Sequence, residues 1–262
     1  MPFDEAAVAN LLDALYYFLS FARGGWSPAL LPVGLDAQGN QVWERWDYRS
    51  TSDWRFRPSW FPEHSADSLA DAFPGFMRLW KDPDWNQSLR VAIHWYIASN
   101  AQAGAIEGAL VLQQLAFELL SSRLFVEERG TYTEQDFNNS KVFPAARKMR
   151  LLLGEAKIPT TIPNHLNMLT ELANQEGWQD GPQALTRLRN WITHPTGGNR
   201  LSLGGVSLQT RFEAFSLALW YLELTLLWLM EYRGNYVNRL TAHYKGDHEM
   251  VPWAPTPPKV QA

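Results

Sequence analysis

The apolar positions of this 262-residue chain recur at three- and four-residue intervals along most of its length. That spacing is typical of amphipathic helices, which bury one face against a core. It predicts helices over residues 4–20, from Ser65 through the seventies, and over residues 87–100, 105–128, 141–154, 163–175, 181–194 and 206–240. Short connections join most of these segments, as in an up-and-down bundle. The sequence therefore predicts a mainly α protein built as a helical bundle.

Capping residues and prolines indicate where the helices begin and end. Asp4, Ser65 and Asn86 stand at the starts of the first three helices, where their side chains are expected to cap backbone N–H groups. Pro74 is expected to kink or end the second helix, because proline lacks the N–H group that a helix interior needs.

The chain before residue 87 differs from the bundle, because it holds seven of the 13 tryptophans and several irregular stretches. Residues 30–46 predict a β-hairpin, since Asp36 to Asn40 supplies turn residues between two apolar runs. Residues 47–64 fit neither period and are expected to form an ordered loop pinned by aromatic side chains. For the Trp- and Arg-rich stretch 43–60, a base-stacking platform is one interpretation. Core packing with cation–π contacts is preferred, because the region as a whole is acidic.

These patterns divide the chain into three parts. They are a Trp-rich N-terminal segment (1–86), a helical bundle (87–245) and a Pro-rich tail (246–262). The tail has four prolines in the 11 residues from Pro252 and is expected to be extended or disordered.

Composition excludes several kinds of site. The chain has no cysteine, which excludes disulfides, zinc ribbons, iron–sulfur clusters and thiol nucleophiles. Its six histidines are scattered, without a carboxylate cluster at metal-ligand spacing. Neither a metal ion nor a cofactor is therefore expected.

Charge is distributed unevenly along the chain. The net charge is −4, which excludes a histone-like cation, but residues 1–86 alone carry −5 and the remainder +1. Residues 181–212 contain no acid and four arginines, and a second acid-free run surrounds residues 141–150. Such runs are typical of local phosphate-binding surfaces. The candidate RNA-binding residues are Arg187, Arg200, Arg211, Arg147 and Lys148.

One apolar run, residues 214–230, is long enough to raise the question of a membrane span. It has 17 residues and contains Glu223 near its middle, whereas a span needs roughly 20 apolar residues and a central carboxylate is costly there. A buried bundle helix, and no membrane contact, is expected. The N-terminal residues show no secretory signal, so a cytoplasmic protein is the expectation.

The stretch with the clearest chemical content runs from Leu185 to Asn199, LTRLRNWITHPTGGN. Arg189 and His194 lie roughly 140° apart around a regular helix, whereas Asn190 and His194 share a face. Pro195 disfavours a helical conformation for the residue before it, so the helix is expected to stop at His194. A histidine and an arginine would then lie at one exposed helix end, with an amide able to fix the imidazole tautomer.

Metal-free RNA cleavage requires these groups. A neutral histidine can take the proton from a ribose 2′-hydroxyl, and its protonated form can serve the leaving oxygen. An arginine can stabilise the charge on the phosphorane-like transition state. The nucleophile needs no metal, because the substrate itself holds the 2′-hydroxyl next to the phosphorus.

The Arg-x4-His pattern in RNWITH, with asparagine after the arginine, resembles the signature of the HEPN superfamily (higher eukaryotes and prokaryotes nucleotide-binding domains). The helical setting and the long final helix agree with it over about residues 87–245. The segment Ala92–Leu120 also resembles the opening helices of large bacterial HEPN proteins linked to phage defence. One subfamily extends the motif to His-x-Tyr, where an antitoxin modifies the tyrosine; here Thr196 stands at that position.

The resemblance implies a metal-independent endoribonuclease that acts as a homodimer, with one composite site at the interface. Arg189 and His194 would be catalytic and Asn190 would orient them. The protein would be a toxin or an anti-phage defence effector that cuts tRNA or another structured RNA, restrained by a cognate antitoxin or other regulatory partner.

Structural explanations compete with this hypothesis. His194 could simply cap a bundle helix, with Arg189 in an ordinary surface ion pair. Glu107 and Glu118 share a helix face, and one or both are expected to pair with buried arginines of a neighbouring helix; Glu118 could support Arg189 or Arg187. The alternative function is a catalytically silent helical module that binds RNA, a nucleotide or a protein partner.

Overall fold

The computed structural model describes residues 4–62, 65–193, 205–241, 244 and 246–254, and its described residues are mainly helical. The helices are α1 (Glu5–Arg23), α2 (Ala66–Lys81), α3 (Pro83–Asn100), α4 (Ala105–Ser122), α5 (Glu134–Asn138), α6 (Ala145–Glu155), α7 (Asn167–Glu176), α8 (Gly181–Thr193) and α9 (Leu208–Leu229). A π-helical turn, Arg123–Glu128, continues α4 directly. Two small antiparallel sheets pair β1 (Val33–Leu35) with β2 (Gln41–Glu44) and β3 (Asn235–Tyr236) with β4 (Glu249–Met250). The predicted helical class is confirmed.

The first helix and the hairpin form as their sequences predict. Asp4 caps α1, because its carboxylate accepts hydrogen bonds from the backbone of Ala6 (3.0 Å) and Ala7 (3.2 Å). In the hairpin turn, the Asp36 carboxylate accepts from the backbone of Gln38 and Asn40 at 2.9 and 2.8 Å. The same side chains that break the apolar pattern therefore close the turn.

The starts of α2 and α3 differ from the sequence-based expectation. Ser65 stands at the N-cap position of α2, but its side chain caps no helix N–H group. Helix α3 begins at Pro83, with Asp82 as its cap, whereas Asn86 was the predicted cap. Asp82 accepts from two backbone N–H groups, and proline at a first helical position needs no hydrogen-bond partner. The Asn86 side chain instead donates to the Trp80 carbonyl (2.6 Å).

Helix α2 continues through Pro74 to Lys81, so this proline does not end it. The end of α9 packs against the next residue, Gly75. A Cβ added at Gly75 would lie only 1.6 Å from the Met230 carbonyl oxygen, so no other residue fits without displacing the backbone. The Pro-Gly step thus serves helix packing.

Helix α9 ends at Leu229, about three turns before the predicted end at residue 240. Arg78 of α2 donates to the Leu229 carbonyl (2.7 Å), which satisfies one of the groups that a helix end leaves free. Glu231 follows in a left-handed conformation (φ 58°), and the chain turns back. Strand β3 pairs with β4, and the Trp253 indole N–H donates to the Tyr232 carbonyl (2.6 Å).

Helix α9 forms the centre of the core, where nearly every residue from Glu213 to Leu229 is buried. Two segments, Ala105–Glu128 and Leu208–Leu229, are long and apolar enough to cross a membrane. Of their most apolar windows, 61% and 83% are buried inside the fold. Both therefore serve as core helices, which pass the same test of length and composition.

The loop between the hairpin and α2 is ordered but largely unburied. Trp60 is fully buried, as core packing predicts. Trp46, Tyr48, Trp54 and Phe56 are all exposed, so core packing is wrong for them, whereas the expected cation–π contact is present between Arg23 and Trp54. Residues 45–57 are called the aromatic loop below.

A buried ion pair joins the core helix to the turn that follows it. The Arg239 guanidinium donates to both carboxylate oxygens of Glu223 (2.8 and 2.6 Å), and both side chains are almost completely buried. The Tyr96 hydroxyl of α3 donates to the same carboxylate (2.6 Å). Burial and the adjacent Glu223 charge raise the pKa of Tyr96 well above its usual value. Burial alone would lower the pKa of Arg239, but the charge and hydrogen bonds of Glu223, together with those of Tyr96, outweigh burial and raise that pKa.

The same cluster reaches the N-terminal part of the chain. Arg239 donates to the Pro58 carbonyl (2.9 Å) and to the Asn100 amide oxygen (3.3 Å). Asn100 in turn donates to the carbonyls of Gly24 and Pro58 (2.9 and 3.0 Å). Segments far apart in sequence are therefore held by one hydrogen-bonded network.

We expect Arg239→Ala to lower the free energy of unfolding by about 3–5 kcal/mol, because it leaves the Glu223 carboxylate buried without its cation. Arg233→Ala is the matched control, since Arg233 is exposed and should change stability by less than about 0.5 kcal/mol. Urea denaturation followed by circular dichroism measures both. Equal stability of the two variants would contradict the importance of the network.

Candidate functional site

Helix α8 carries the described part of the predicted motif. Arg187, Arg189 and Asn190 lie in its last two turns. His194 and Arg200 lie outside the described residues. The geometry available for the site is therefore that of the arginine, the asparagine and their neighbours.

The N-terminal end of α8 is anchored to α6. The Asp180 carboxylate accepts from the backbone of Gln183 (2.9 Å), as a helix cap does. It also accepts two hydrogen bonds from Arg150, at 2.6 and 2.9 Å. This bidentate contact with Asp180 raises the pKa of Arg150. Arg150 belongs to the second predicted basic run, so this member of the run has a structural partner.

The apolar face of α8 fixes the orientation of the helix. Ala184, Leu185 and Leu188 are buried in the common core. Near the C-terminal end, Trp191 packs on Trp178 with 5.4 Å between ring centroids. These contacts leave the opposite side of the last turns, which carries Arg187, towards solvent.

Arg189 is held by two polar neighbours. Its Nη1 atom donates to the Asn190 amide oxygen (3.1 Å), and its Nη2 atom lies 3.9 Å from Glu118 Oε1 of α4. The Glu118 carboxylate also accepts from Gln114 (3.2 Å). The side chains of Arg189 and Glu118 are 21% and 34% exposed. The structure thus brings Glu118 to Arg189, one of the two partners expected for it.

Arg189 has one donor without a partner in the described part of the chain, as do Arg57, Arg90 and Arg123. Its Nε atom is buried and has no hydrogen-bond partner among the described residues. The separation from Glu118 exceeds hydrogen-bond length, so that contact is a weak ion pair. Arg189 therefore keeps hydrogen-bonding capacity that its neighbours do not use fully.

Arg211 and Glu107 form a second pair between α9 and α4. Arg211 also donates twice to the Val206 carbonyl, at 3.2 and 3.0 Å. Partial burial acts to raise the pKa of Glu107, but the hydrogen bond and charge of Arg211 and a backbone hydrogen bond together outweigh burial, so that pKa is lowered. Glu107 and Glu118 thus both pair with arginines of neighbouring helices, as expected, but those arginines are partly exposed rather than buried.

Arg147 and Lys148 lie on α6 against aromatic rings. The Arg147 guanidinium is 4.3 Å from the Phe143 ring centroid, and Lys148 Nζ is 4.7 Å from that of Phe137. Arg147 also donates to the Val142 carbonyl (2.7 Å) and remains exposed. Arg150, the next basic residue of α6, contacts Asp180 at the N-terminal end of α8, whereas Arg189 lies near the C-terminal end of α8.

Sequence reasoning missed a cavity between α7, α9 and the turn after β3. It has a volume of about 400 Å³, and its lining includes His165, Phe212, Glu213, Ser216 and Arg239. Glu213 accepts from the backbone of Leu169 at the start of α7 (2.8 Å), so its carboxylate is already engaged. No spacing in the sequence indicates this cavity, because residues from three distant segments form it. Among the described residues, no group of three or more His, Asp or Glu side chains could hold a metal ion.

Comparison with known proteins identifies the family. The model of the YopA C-terminal domain matches residues 82–250, and that of the YopA central domain matches residues 1–57. The chain is 30% identical over 255 residues to the SPbeta prophage-derived uncharacterized protein YopA of Bacillus subtilis (strain 168). That alignment covers 96% of this chain and 55% of the relative, so the chain spans about half the relative's length. No solved structure matches the chain. The chain belongs to the YopA family.

Arg189→Ala is expected to leave the fold intact and to lower the free energy of unfolding by no more than about 1 kcal/mol, because partly exposed ion pairs contribute little. Asp180→Ala should cost about 1–3 kcal/mol, because it removes both a helix cap and the partner of Arg150. Urea denaturation of the two variants gives the comparison. If Arg189→Ala proved the more destabilising, Arg189 would be a structural residue.

Proposed function

We propose that this YopA-family chain is a metal-independent endoribonuclease that cuts RNA through the ribose 2′-hydroxyl. The observation that supports this most is the state of Arg189. Arg189 lies on an anchored helix, five residues before His194 in the sequence, and its side chain is partly exposed. Its neighbours do not use all of its hydrogen-bond donors.

Arg189 would bind the phosphate under attack. A guanidinium can donate two parallel hydrogen bonds to phosphate oxygens, and such charge-assisted pairs are stronger than a 3.9 Å contact with a carboxylate. A phosphate could therefore replace Glu118 as the partner of Arg189. In the transition state the same contacts stabilise the added negative charge on the phosphorus oxygens.

His194 would move the protons. As a neutral base it takes the proton of the 2′-hydroxyl while the 2′-oxygen bonds to phosphorus. The bond from phosphorus to the 5′-oxygen then breaks, and a protonated histidine supplies the proton to that oxygen. The products are a 2′,3′-cyclic phosphate and a 5′-hydroxyl. Because the Asn190 oxygen already accepts from Arg189, its N–H groups are the ones left to hold the imidazole.

A second copy would complete the site. Leu208 and Phe212 are four residues apart at the start of α9, on one face, and are 69% and 45% exposed. They follow the motif closely along the chain. An exposed apolar face so soon after the motif in the sequence fits a homodimer whose two motifs meet at the interface.

The substrate would bind through nearby cations. Arg187 is exposed and lies two residues before Arg189, and Arg200 follows the motif in the sequence, so we assign both to backbone phosphates. Arg147 and Lys148 would extend this contact, whereas Arg211 serves mainly to join α9 to α4. The RNA would be tRNA or another structured RNA.

The proposed setting is the cytoplasm of a cell in conflict with a phage. The relative from Bacillus subtilis is named as prophage-derived, which is consistent with a toxin or a defence effector. A nuclease of this kind needs restraint, so we also propose an antitoxin or other regulatory partner.

One observation favours a different function, a catalytically silent module that binds RNA, a nucleotide or a protein. The carboxylate of Glu118 lies near Arg189 and offsets part of its charge. If Glu118 stayed there with RNA bound, Arg189 would be unable to serve the phosphate.

We expect the purified protein to cleave RNA with EDTA present, using a total tRNA pool as substrate. His194→Ala and Arg189→Ala should each lower the cleavage rate by about 100-fold or more, because they remove the proton carrier and the transition-state cation. Gel electrophoresis of the RNA gives the rates.

Arg233→Ala is the control for loss of a positive charge elsewhere and should cleave as the wild type does. Circular dichroism checks that each variant is folded. Undiminished cleavage by both motif variants would contradict the site assignment, and RNA binding without cleavage would support the silent module.

A further inference from the structure

The aromatic loop exposes four large rings within eleven residues of sequence. Trp46, Tyr48, Trp54 and Phe56 are 74%, 94%, 93% and 79% exposed. Burying such a ring is worth about 1.5–3 kcal/mol or more, so leaving four in water forgoes much stability. Exposed apolar surface of this size indicates a binding surface.

The loop also carries positive charge within an acidic part of the chain. Residues 45–57 contain four arginines and two aspartates, a net charge of +2, whereas residues 1–86 together carry −5. Each of the two aspartates pairs with two of the arginines. The bridges are Arg45–Asp47 (3.1 Å), Arg49–Asp47 (3.2 Å), Arg55–Asp53 (3.1 Å) and Arg57–Asp53 (2.6 Å), and Asp13 of α1 also contacts Arg49 (2.5 Å).

Trp54 has the geometry of a stacking platform. The Arg23 guanidinium lies over its ring, 4.9 Å from the centroid. Arg23 is itself fixed by hydrogen bonds to the carbonyls of Trp26 (3.1 Å) and Asp53 (2.9 Å). One face of the indole is therefore supported by a cation and the other face is open to solvent.

We propose that the aromatic loop binds single-stranded RNA, with unpaired bases stacked on Trp54 and Phe56 and the backbone phosphates beside Arg55. The Arg55 side chain is 86% exposed, so a phosphate can reach it. Every base has an aromatic face, so such a platform selects unpaired strands and tolerates any sequence. The net positive charge complements a polyanion, which favours nucleic acid over a protein partner. The inference rests on the proposed function, because it names the unpaired stretches of a structured RNA as the part that the nuclease takes up.

The test is fluorescence anisotropy with a labelled, fully 2′-O-methylated oligouridine of 20 nucleotides. This probe has no free 2′-hydroxyl and resists the proposed cleavage, so binding is measured separately from activity. The double variant Trp54→Ala, Phe56→Ala should bind it roughly 10- to 100-fold more weakly than wild type. The double variant Leu35→Ala, Val42→Ala, which removes exposed apolar side chains of the hairpin, should bind as wild type does.

A 20-base-pair duplex should bind without dependence on Trp54 and Phe56, because its bases are paired and stacked. Equal oligouridine binding by wild type and the Trp54/Phe56 variant would overturn the proposal.

Sedimentation of both proteins identifies the competing case. A changed oligomeric state of the Trp54/Phe56 variant, with unchanged oligouridine binding, would make the loop a protein interface. Ring-dependent binding without RNA cleavage would refute the nuclease alone, and cleavage with ring-independent binding would refute the platform alone.

Discussion

The rest of the structure depends on the buried pair of Glu223 and Arg239. An arginine and a glutamate in an apolar core are tolerated only when each satisfies the other. Arg239 also holds the Pro58 carbonyl and, with Tyr96 and Asn100, connects α1, α3, α9 and the loop before α2. This network fixes the Trp-rich segment on the helical bundle. It also explains why a carboxylate is found in the middle of the most apolar helix.

A bundle fixed in this way can leave one helix end free for chemistry. Helix α8 is capped and clamped at its start by Asp180 and Arg150, and its apolar face is buried. Arg189 follows at the other end, where its side chain stays partly exposed and Glu118 contacts it only weakly. The proposed phosphate binding draws on this weak contact, whereas Arg150 is held by two short hydrogen bonds to Asp180.

Much of this fold could be predicted from the sequence, because helical periodicity and local caps are short-range signals. Asp4 and Asp36 act on neighbouring backbone groups, and both were predictable. The end of α9 could not be predicted in this way, because the carbonyl of Leu229 is paired with Arg78, a residue about 150 positions away. Composition likewise predicted burial of the tryptophans, but only the fold shows that Trp60 is buried and that Trp46 and Trp54 are exposed. The sequence left Arg189 and Arg187 as alternative partners of Glu118 and offered base stacking as one interpretation of residues 43–60; the fold shows which arginine and which rings are involved. The cavity beside Glu213 has no signal in the sequence.

The chemistry of the RNA ends tests the central claim most directly. Attack by the 2′-hydroxyl must leave a 2′,3′-cyclic phosphate on one fragment and a 5′-hydroxyl on the other, because the 5′-oxygen is the leaving group. Mass spectrometry of fragments produced in EDTA should show these ends, and their yield should follow His194 and Arg189. Fragments with 3′-hydroxyl and 5′-phosphate ends would mean that water, and not the substrate's own hydroxyl, attacks the phosphorus, and the account would be wrong.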